Sequence, residues 1–431
     1  MSIKPRGHYG LNKLYKVAGH PVGYRIRTED RELFYAGRYG EKKPNGNGVF
    51  LFSRRLPARF AKLNQLNEDC ETRNLAVISG LPKEKPCVLY VLDFLFKTGG
   101  VERRLALQFK WLRAHGIQPV LVVEKQDYEP LKDYPCLFLN QEAPNAGRKL
   151  LEFVKRIRPA AVEFNVKSTD FLHDVDVNAL KALTRVGVMI HNLIDADQER
   201  MDALDYRCIV RKHERRYKHL TYVPNAVVFP DVVPSYRPEA RKALYIGRID
   251  EEKLPTLKNF VEICRRYGMS FEIAGPVYQE GAVTQWAESL PDGVMLGVID
   301  TRSFLPAHGE EYAFIAGVGQ VALEAAAVNL PCLVTTHLSN AMRSAFLTRD
   351  NLARLLDWNC VLRLCPEDEV EGNVPSFFEV RSRAEEEPQA LDAFRVRSQL
   401  MALRNEDEIW SKYCRVMMGT AEGQQPVAEA Q

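Results

Sequence analysis

The sequence predicts an α/β protein built from two successive parallel-sheet halves with a cleft between them. Three observations predict it. From residue 87 onward, strand-length apolar runs alternate with helix-length amphipathic segments. The alternation starts afresh after PSYRPEARK, so the chain reads as the same kind of unit twice. The segment AFIAGVGQVALEAAAVNLPCLVTT, residues 313–336, holds one such unit complete: strand, glycine turn, helix, strand.

Within that segment AFIA is an apolar run of strand type, and Gly317 and Gly319 let backbone come close to a ligand. QVALEAAAV is a run of good helix formers closed by Asn329, Leu330 and Pro331, and CLVTT is a second buried strand. The helix start above the turn, at Gln320 and Val321, is a ready anion site. Glu324 lies a turn further on, in a mostly apolar stretch. A carboxylate there needs a hydrogen-bonding partner, and a ribose diol is one. The other reading is an ordinary βαβ unit with an amphipathic glutamate.

At 431 residues the chain has room for about two to three domains. Hydrophobic content of 46% and charged content of 27% fit a soluble globular protein with sizeable cores. No apolar run approaches the ~18 residues of a membrane span. The start MSIKPRGHYG lacks a signal peptide's apolar core, so a cytoplasmic location is expected. Nine scattered cysteines without a Cys-x-x-Cys pair point to reduced thiols, not a disulfide scaffold or a zinc site. Residues 1–62 carry fourteen Lys and Arg against four Asp and Glu, a net +10, which leaves −7 on the rest of a chain totalling +3. A basic head suggests an anionic partner: phospholipid, a phosphorylated acceptor or nucleic acid.

In chain order, residues 1–85 do not read as βα units and form a basic extension. GYRIRT, ELFYAGRYG and GVFLFS look like short strands, with KKPNGNG as a hairpin turn. Tyr9, Tyr15, Tyr24, Phe34, Tyr35 and Tyr39 interleave with Arg and Lys. That mix suits a membrane interface or a sugar-phosphate; exposed strand faces with solvated charges give the same pattern. Residues 86–235 form the first half. CVLYVLDFLF is a buried strand, KTGG a turn at Gly99 and Gly100, and VERRLALQFKWLRAHG an amphipathic helix. Neither a Gly-x-Gly-x-x-Gly nor a P-loop spacing is present. Residues 236–418 form the second half, closed by one long helix over LDAFRVRSQLMALRNEDEIWSKYCRVMM, and residues 419–431 read as a disordered tail.

YIGRIDEEK places Gly247 and Arg248 just after a strand and Lys253 five residues on. A guanidinium fork and an ammonium facing a helix start would hold a diphosphate and stabilise it as a leaving group. Surface charge paired with Glu251 and Glu252 is the other reading. Two Asp-x-Asp strings, Asp174-Val175-Asp176 and Asp195-Ala196-Asp197, match the pattern that holds a divalent ion on a diphosphate. Both are read as helix starts or solvated aspartates, and no metal is expected.

GRIDEEK, SFEIAG, LGVID and GVGQVALEAAAVNLPCLV occur in the order and spacing of the carboxyl domain of GT-B glycosyltransferases of family 4, which the chain resembles. TGGVERRLALQFKWLRAHG, the HN after VGVMI, and VPNAV resemble that family's glycine-pair turn, interdomain histidine and "PNG" strand end. The resemblance covers residues 87–359. It implies two Rossmann-like domains facing across a cleft, with the basic extension added. It also implies that Arg248, Lys253 and the turn from Gly317 to Val321 bind a donor diphosphate, and that Glu324 binds ribose. Gly99 and Gly100 face the same phosphates, His191 lines the reaction centre, and Glu102 and Arg103 are the acceptor-side candidates. The family carries another acidic residue eight positions before its ribose glutamate. Here that position is Ala316, and Glu310 or Glu311 is the candidate to compensate.

The expected function is transfer of a sugar from a nucleotide-diphosphate donor to a glycan or lipid-linked anionic acceptor of the surface-polysaccharide or lipopolysaccharide type. Retention of configuration is implied by the resemblance, and independence of metal or other cofactor is expected because Arg248 and Lys253 already supply the positive charge. Residues 1–62 would associate peripherally with an anionic membrane, and nucleic acid is not the expected partner. The alternative is a catalytically weak GT-B relative acting as a nucleotide- or glycan-binding scaffold or partner subunit.

Overall fold

The computed structural model describes residues 23–27, 32–36, 49–51, 63–92, 94–95, 99–141, 143–165, 175–191, 201–212, 219–277, 281–291, 293–338, 341–362, 365, 372–384 and 386–420. Strands β1 (Gly23–Arg27), β2 (Glu32–Ala36) and β3 (Val49–Leu51) pair antiparallel in that order. The rest of the predicted basic head lies outside the described residues.

All five residues of β4 (Cys87–Val91) are buried, the continuous apolar run that a parallel strand covered on both faces requires. The remaining strands of this part are β5 (Phe94–Leu95), β6 (Gln118–Val123), β7 (Lys125–Gln126), β8 (Cys136–Phe138), β9 (Ala161–Asn165), β10 (Arg185–Ile190), β11 (Tyr206–Ile209) and β12 (Thr221–Tyr222). Seven of them form one parallel sheet in the order β12-β11-β10-β9-β4-β6-β8, and β5 pairs with β7 beside it. From β4 the chain steps outward to β6 and β8, then returns to β9 and continues the other way. The carboxyl ends of β4 and β9 therefore flank a topological switch point, where such sheets hold ligands.

The second sheet follows the same logic. Its strands are β13 (Lys242–Ile246), β14 (Ser270–Ala274), β15 (Met295–Gly297), β16 (Tyr312–Gly317), β17 (Cys332–Leu338) and β18 (Ala341–Phe346), ordered β15-β14-β13-β16-β17-β18. Pairing is parallel except for the antiparallel edge pair β17–β18. Here the switch lies between β13 and β16.

Helices cover both faces of each sheet. On the first sheet, α1 (Glu71–Ser79), α3 (Ala146–Ile157) and α4 (Val177–Lys181) close one face, and α2 (Gly100–Ala114) closes the other. On the second, α5 (Leu254–Arg266), α6 (Ala282–Glu288) and α10 (Val374–Ser382) pack on one side. α7 (Thr301–His308), α8 (Gln320–Ala327), α9 (Leu352–Asp357) and α11 (Arg397–Leu403) pack on the other.

Three expectations are corrected. α1 falls in the segment assigned to the basic extension, yet Val77 and Ile78 pack on the first core and Asn74 bonds Phe138 of β8. The single long closing helix is two helices, α11 and α12 (Glu406–Met418), because Asn405 caps α12 by accepting from the Glu408 N–H at 3.1 Å. α12 also lies on the first sheet rather than the second: Ile409, Trp410, Tyr413, Cys414 and Met417 join the core around Tyr90. Its apolar stripe finds a matching face there, and the link ties the two sheets together. Among the described residues, no helix is long and apolar enough to cross a membrane.

Candidate functional site

β13 and β16 are neighbours in register, with Tyr245 opposite Ala316. The turns that follow them, Gly247–Arg248 and Gly317–Gly319, thus leave the sheet side by side at the switch point. The close packing needs glycine at Gly275, where a Cβ would meet the Gly247 carbonyl oxygen at 1.8 Å. Gly319, the N-cap of α8, has φ of 57° and needs glycine for its backbone alone. The Gly319 N–H is already spent on the Cys360 carbonyl at 3.2 Å. The next N–H groups, at Gln320 and Val321, open α8, where the first turn's N–H groups have no intrahelical partner. The Gln320 side chain is buried and donates to the Ala226 carbonyl at 3.1 Å, so its amide serves the linker between the sheets.

Arg248 is 46% exposed and sits between Asp250 at 3.4 Å and Glu252 at 3.7 Å. Lys253 is more enclosed, and its Nζ lies 3.4 Å from Glu252. Asp250 shapes the turn, since its carboxylate accepts from the Lys253 N–H at 2.9 Å. Both expected cations therefore stand beside carboxylates, with Glu252 shared between them and Asp250, rather than the expected Glu251, beside Arg248. Exposed pairs at such distances contribute about 0–1 kcal/mol each, so a diphosphate can take Arg248 at small cost.

Glu324 meets the first sheet's side. Its Oε2 accepts from Arg103 Nη1 of α2 at 2.8 Å and from the Thr301 hydroxyl at the start of α7. Both Arg103 and Glu324 are largely buried, at 14% and 6% exposure. Oε1 has no hydrogen bond among the described residues, so one oxygen stays free for a ligand while the other is held. Arg103, an acceptor-side candidate by sequence, is thus placed on Glu324. Glu102 folds back over its own helix start: a Cβ on Gly99 would lie 2.1 Å from Glu102 Oε2, and Glu102 is 5% exposed. Nothing lies within 4 Å of a Cβ built on Gly100.

His191 follows β10 and is buried. Its Nε2 lies 2.8 Å from Asn165 Oδ1, which only accepts, so Nε2 carries the proton and Nδ1 is left as an acceptor. Burial, with Arg104 nearby, pushes the imidazole pKa well below its usual value, so the ring is neutral near pH 7. Asn165 in turn donates to Glu163 at 3.5 Å. Glu163 is fully buried, accepts from the Tyr413 hydroxyl at 2.6 Å, and is pushed up to about 7 by burial. Asn165 and Glu163 sit inside β9, away from the turns and helix starts that the sequence singles out.

No protein-family profile matches the chain, and no curated protein sequence matches it. Solved structures do. The lipopolysaccharide outer core galactosyltransferase WaaB, in apo form, is 12% identical over 78% of this chain and 100% of its own, with a TM-score of 0.50. An alpha-glucosyltransferase in complex with UDP is 11% identical over 78% and 99%, with a TM-score of 0.51. The fold is GT-B. An alpha-glucosyltransferase holding UDP and a 13-mer DNA is also similar, 10% identical over 77% and 99%, at a TM-score of 0.50.

On this GT-B frame, Ala316 is fully buried inside β16 and faces no crevice. Glu310 and Glu311 do not compensate for it. They precede β16, pairing with Arg237 and Lys242 at the strand's amino end. Five residues of strand, roughly 17 Å, separate them from the Gly317 turn. Of the Asp-x-Asp residues, Asp176 caps α4 through the Ala179 N–H at 2.9 Å, and Asp174, Asp195 and Asp197 lie outside the described residues. No metal-binding group of His, Cys, Asp and Glu occurs among the described residues.

Proposed function

We propose that the protein is a glycosyltransferase of the family 4 type that moves a sugar from a nucleotide-diphosphate donor to a glycan or lipid-linked anionic acceptor. One observation carries the reading. The Arg103–Glu324 pair, at 2.8 Å, joins α2 to α8 and holds the switch points of both sheets over one crevice. The UDP held by the similar alpha-glucosyltransferase supports a nucleotide donor.

In this reading Arg248 and Lys253 leave their weak carboxylate partners for the donor diphosphate, helped by the α8 backbone N–H groups. Charge-assisted bonds of about 1.5–3 kcal/mol outweigh the pairs they replace. Glu324 Oε1 accepts from a ribose hydroxyl while Arg103 and Thr301 hold Oε2. Neutral His191 offers Nδ1 to a sugar hydroxyl and adds no positive charge. The bond from the anomeric carbon to the diphosphate breaks as the acceptor oxygen bonds to that carbon. The leaving phosphate oxygen takes the acceptor's proton, with retention and without a metal. The basic head, net +10, meets an anionic membrane or acceptor.

A second reading follows from Ala316. With no carboxylate at that place, a catalytically weak nucleotide- or glycan-binding scaffold is the alternative. Turnover of labelled nucleotide sugars on acceptors presented in anionic liposomes separates the two. The enzyme reading expects product in EDTA and less product when residues 1–62 are deleted. Donor binding without product favours the scaffold, and product lost in EDTA but restored by magnesium removes the metal-free mechanism.

A further inference from the structure

The linker between the sheets is gripped from both sides. From the first sheet, Arg104 Nη1 on α2 donates to the Pro224 carbonyl at 2.8 Å and to Asn225 Oδ1 at 3.0 Å. Arg104 is 1% exposed, and its guanidinium lies 4.8 Å from the centre of the Trp410 ring. A buried guanidinium is costly unless its bonds are kept, so this one pins the linker firmly. From the second sheet, Gln320 Nε2 at the start of α8 donates to the Ala226 carbonyl at 3.1 Å.

Asn225 passes the grip onward. While its Oδ1 receives Arg104, its Nδ2 donates to Asn359 Oδ1 at 2.8 Å. Asn359 and Cys360 follow α9 and are both left-handed, with φ of 56° and 51°. Asn tolerates that region and Cys does so at a cost of about 1–2 kcal/mol, so surrounding bonds must hold the pair. The conformation aims the Cys360 carbonyl at the Gly319 N–H, 3.2 Å away. A continuous path thus runs from α2 through the linker to the glycine turn ahead of α8.

We infer that Arg104, Asn225 and Asn359 are positioning residues that set the Gly317–Val321 turn for the donor diphosphate. The inference rests on the proposed donor reading for its ligand but not for its clamp. Bridging the two sheets, the clamp makes the turn's placement depend on how the halves are joined.

Asn359→Gly tests it, because glycine keeps the left-handed backbone and deletes only the bond to Asn225. Amide hydrogen exchange is read over residues 317–324. Binding of UDP, GDP, ADP and the three matching nucleosides is measured by calorimetry. The expected result is about fivefold faster exchange in 317–324 and about fivefold weaker diphosphate binding, with nucleoside binding unchanged. Asn359→Asp keeps the acceptor oxygen and is expected to restore both. Unchanged exchange over 317–324, or equal losses for diphosphates and nucleosides, overturns the inference. Faster exchange in a protein that binds none of the six ligands supports the clamp and removes the donor reading instead.

Discussion

Glu163 shows what a single buried carboxylate does to this protein. Its unfolded pKa is near 4.5 and its folded value is about 7, raised by burial against the partial relief from Tyr413 and Arg104. Between those values the folded state keeps a proton that the unfolded chain has lost. Stability therefore falls as pH rises through that window, by something on the order of 3 kcal/mol in all. His191 has the opposite sign: its folded pKa lies well below 6.5, so stability is lost as pH falls below 6.5. Between pH 6 and 7.5 the two effects therefore oppose each other. Urea midpoints measured from pH 6 to 7.5 should rise in Glu163→Gln, where the histidine effect is left, and should rise less or fall in the wild type; parallel profiles for the two proteins contradict this account. Residue-level reading of the sequence singles out the glycine turns, Arg248 and Lys253 because each sits beside a strand or helix boundary, and Glu324 because it is a carboxylate in an apolar stretch. It missed Arg103 as the Glu324 partner, 221 positions away in sequence, and it missed Asn225 on Asn359, 134 away. Local periodicity carries no information about such pairs.

At the scale of elements, the strands that were legible are those with continuous apolar runs, such as β4 and β13. β11 and β18 were missed. β11 is only four residues long, and β18 pairs antiparallel at an edge outside the repeating βα pattern. The α11–α12 break was hidden because Arg404 and Asn405 interrupt a helical pattern without Gly or Pro. α12 bears much of the link between the sheets. Trp410 is fully buried there, lies over Arg104, and donates to Glu406 at 3.2 Å. Trp410→Ala should lower the unfolding free energy by about 3–5 kcal/mol, as large-to-small core changes do. A loss below about 1 kcal/mol, read from urea unfolding, would mean that α12 is not anchored by this residue.

Among the described residues the two large sheets are tied by the Arg103–Glu324 pair, by α12 and by the clamped linker. The two-halves architecture was legible because the βα alternation restarts; the ties were not, since each joins residues distant in the chain. The proposed donor site would combine two cations, one helix start and one half-occupied carboxylate, a set that fits a nucleoside diphosphate at both of its ends. Thermal shift with UDP, GDP, ADP and their nucleosides, on the wild type, Arg248→Ala and Glu324→Ala, tests this most directly. The account predicts that at least one diphosphate raises the wild-type melting temperature. Arg248→Ala should weaken the diphosphate response alone, and Glu324→Ala should weaken both diphosphate and nucleoside responses, each by about tenfold in affinity. A wild-type response that neither substitution changes, or no response to any of the six ligands, would contradict it.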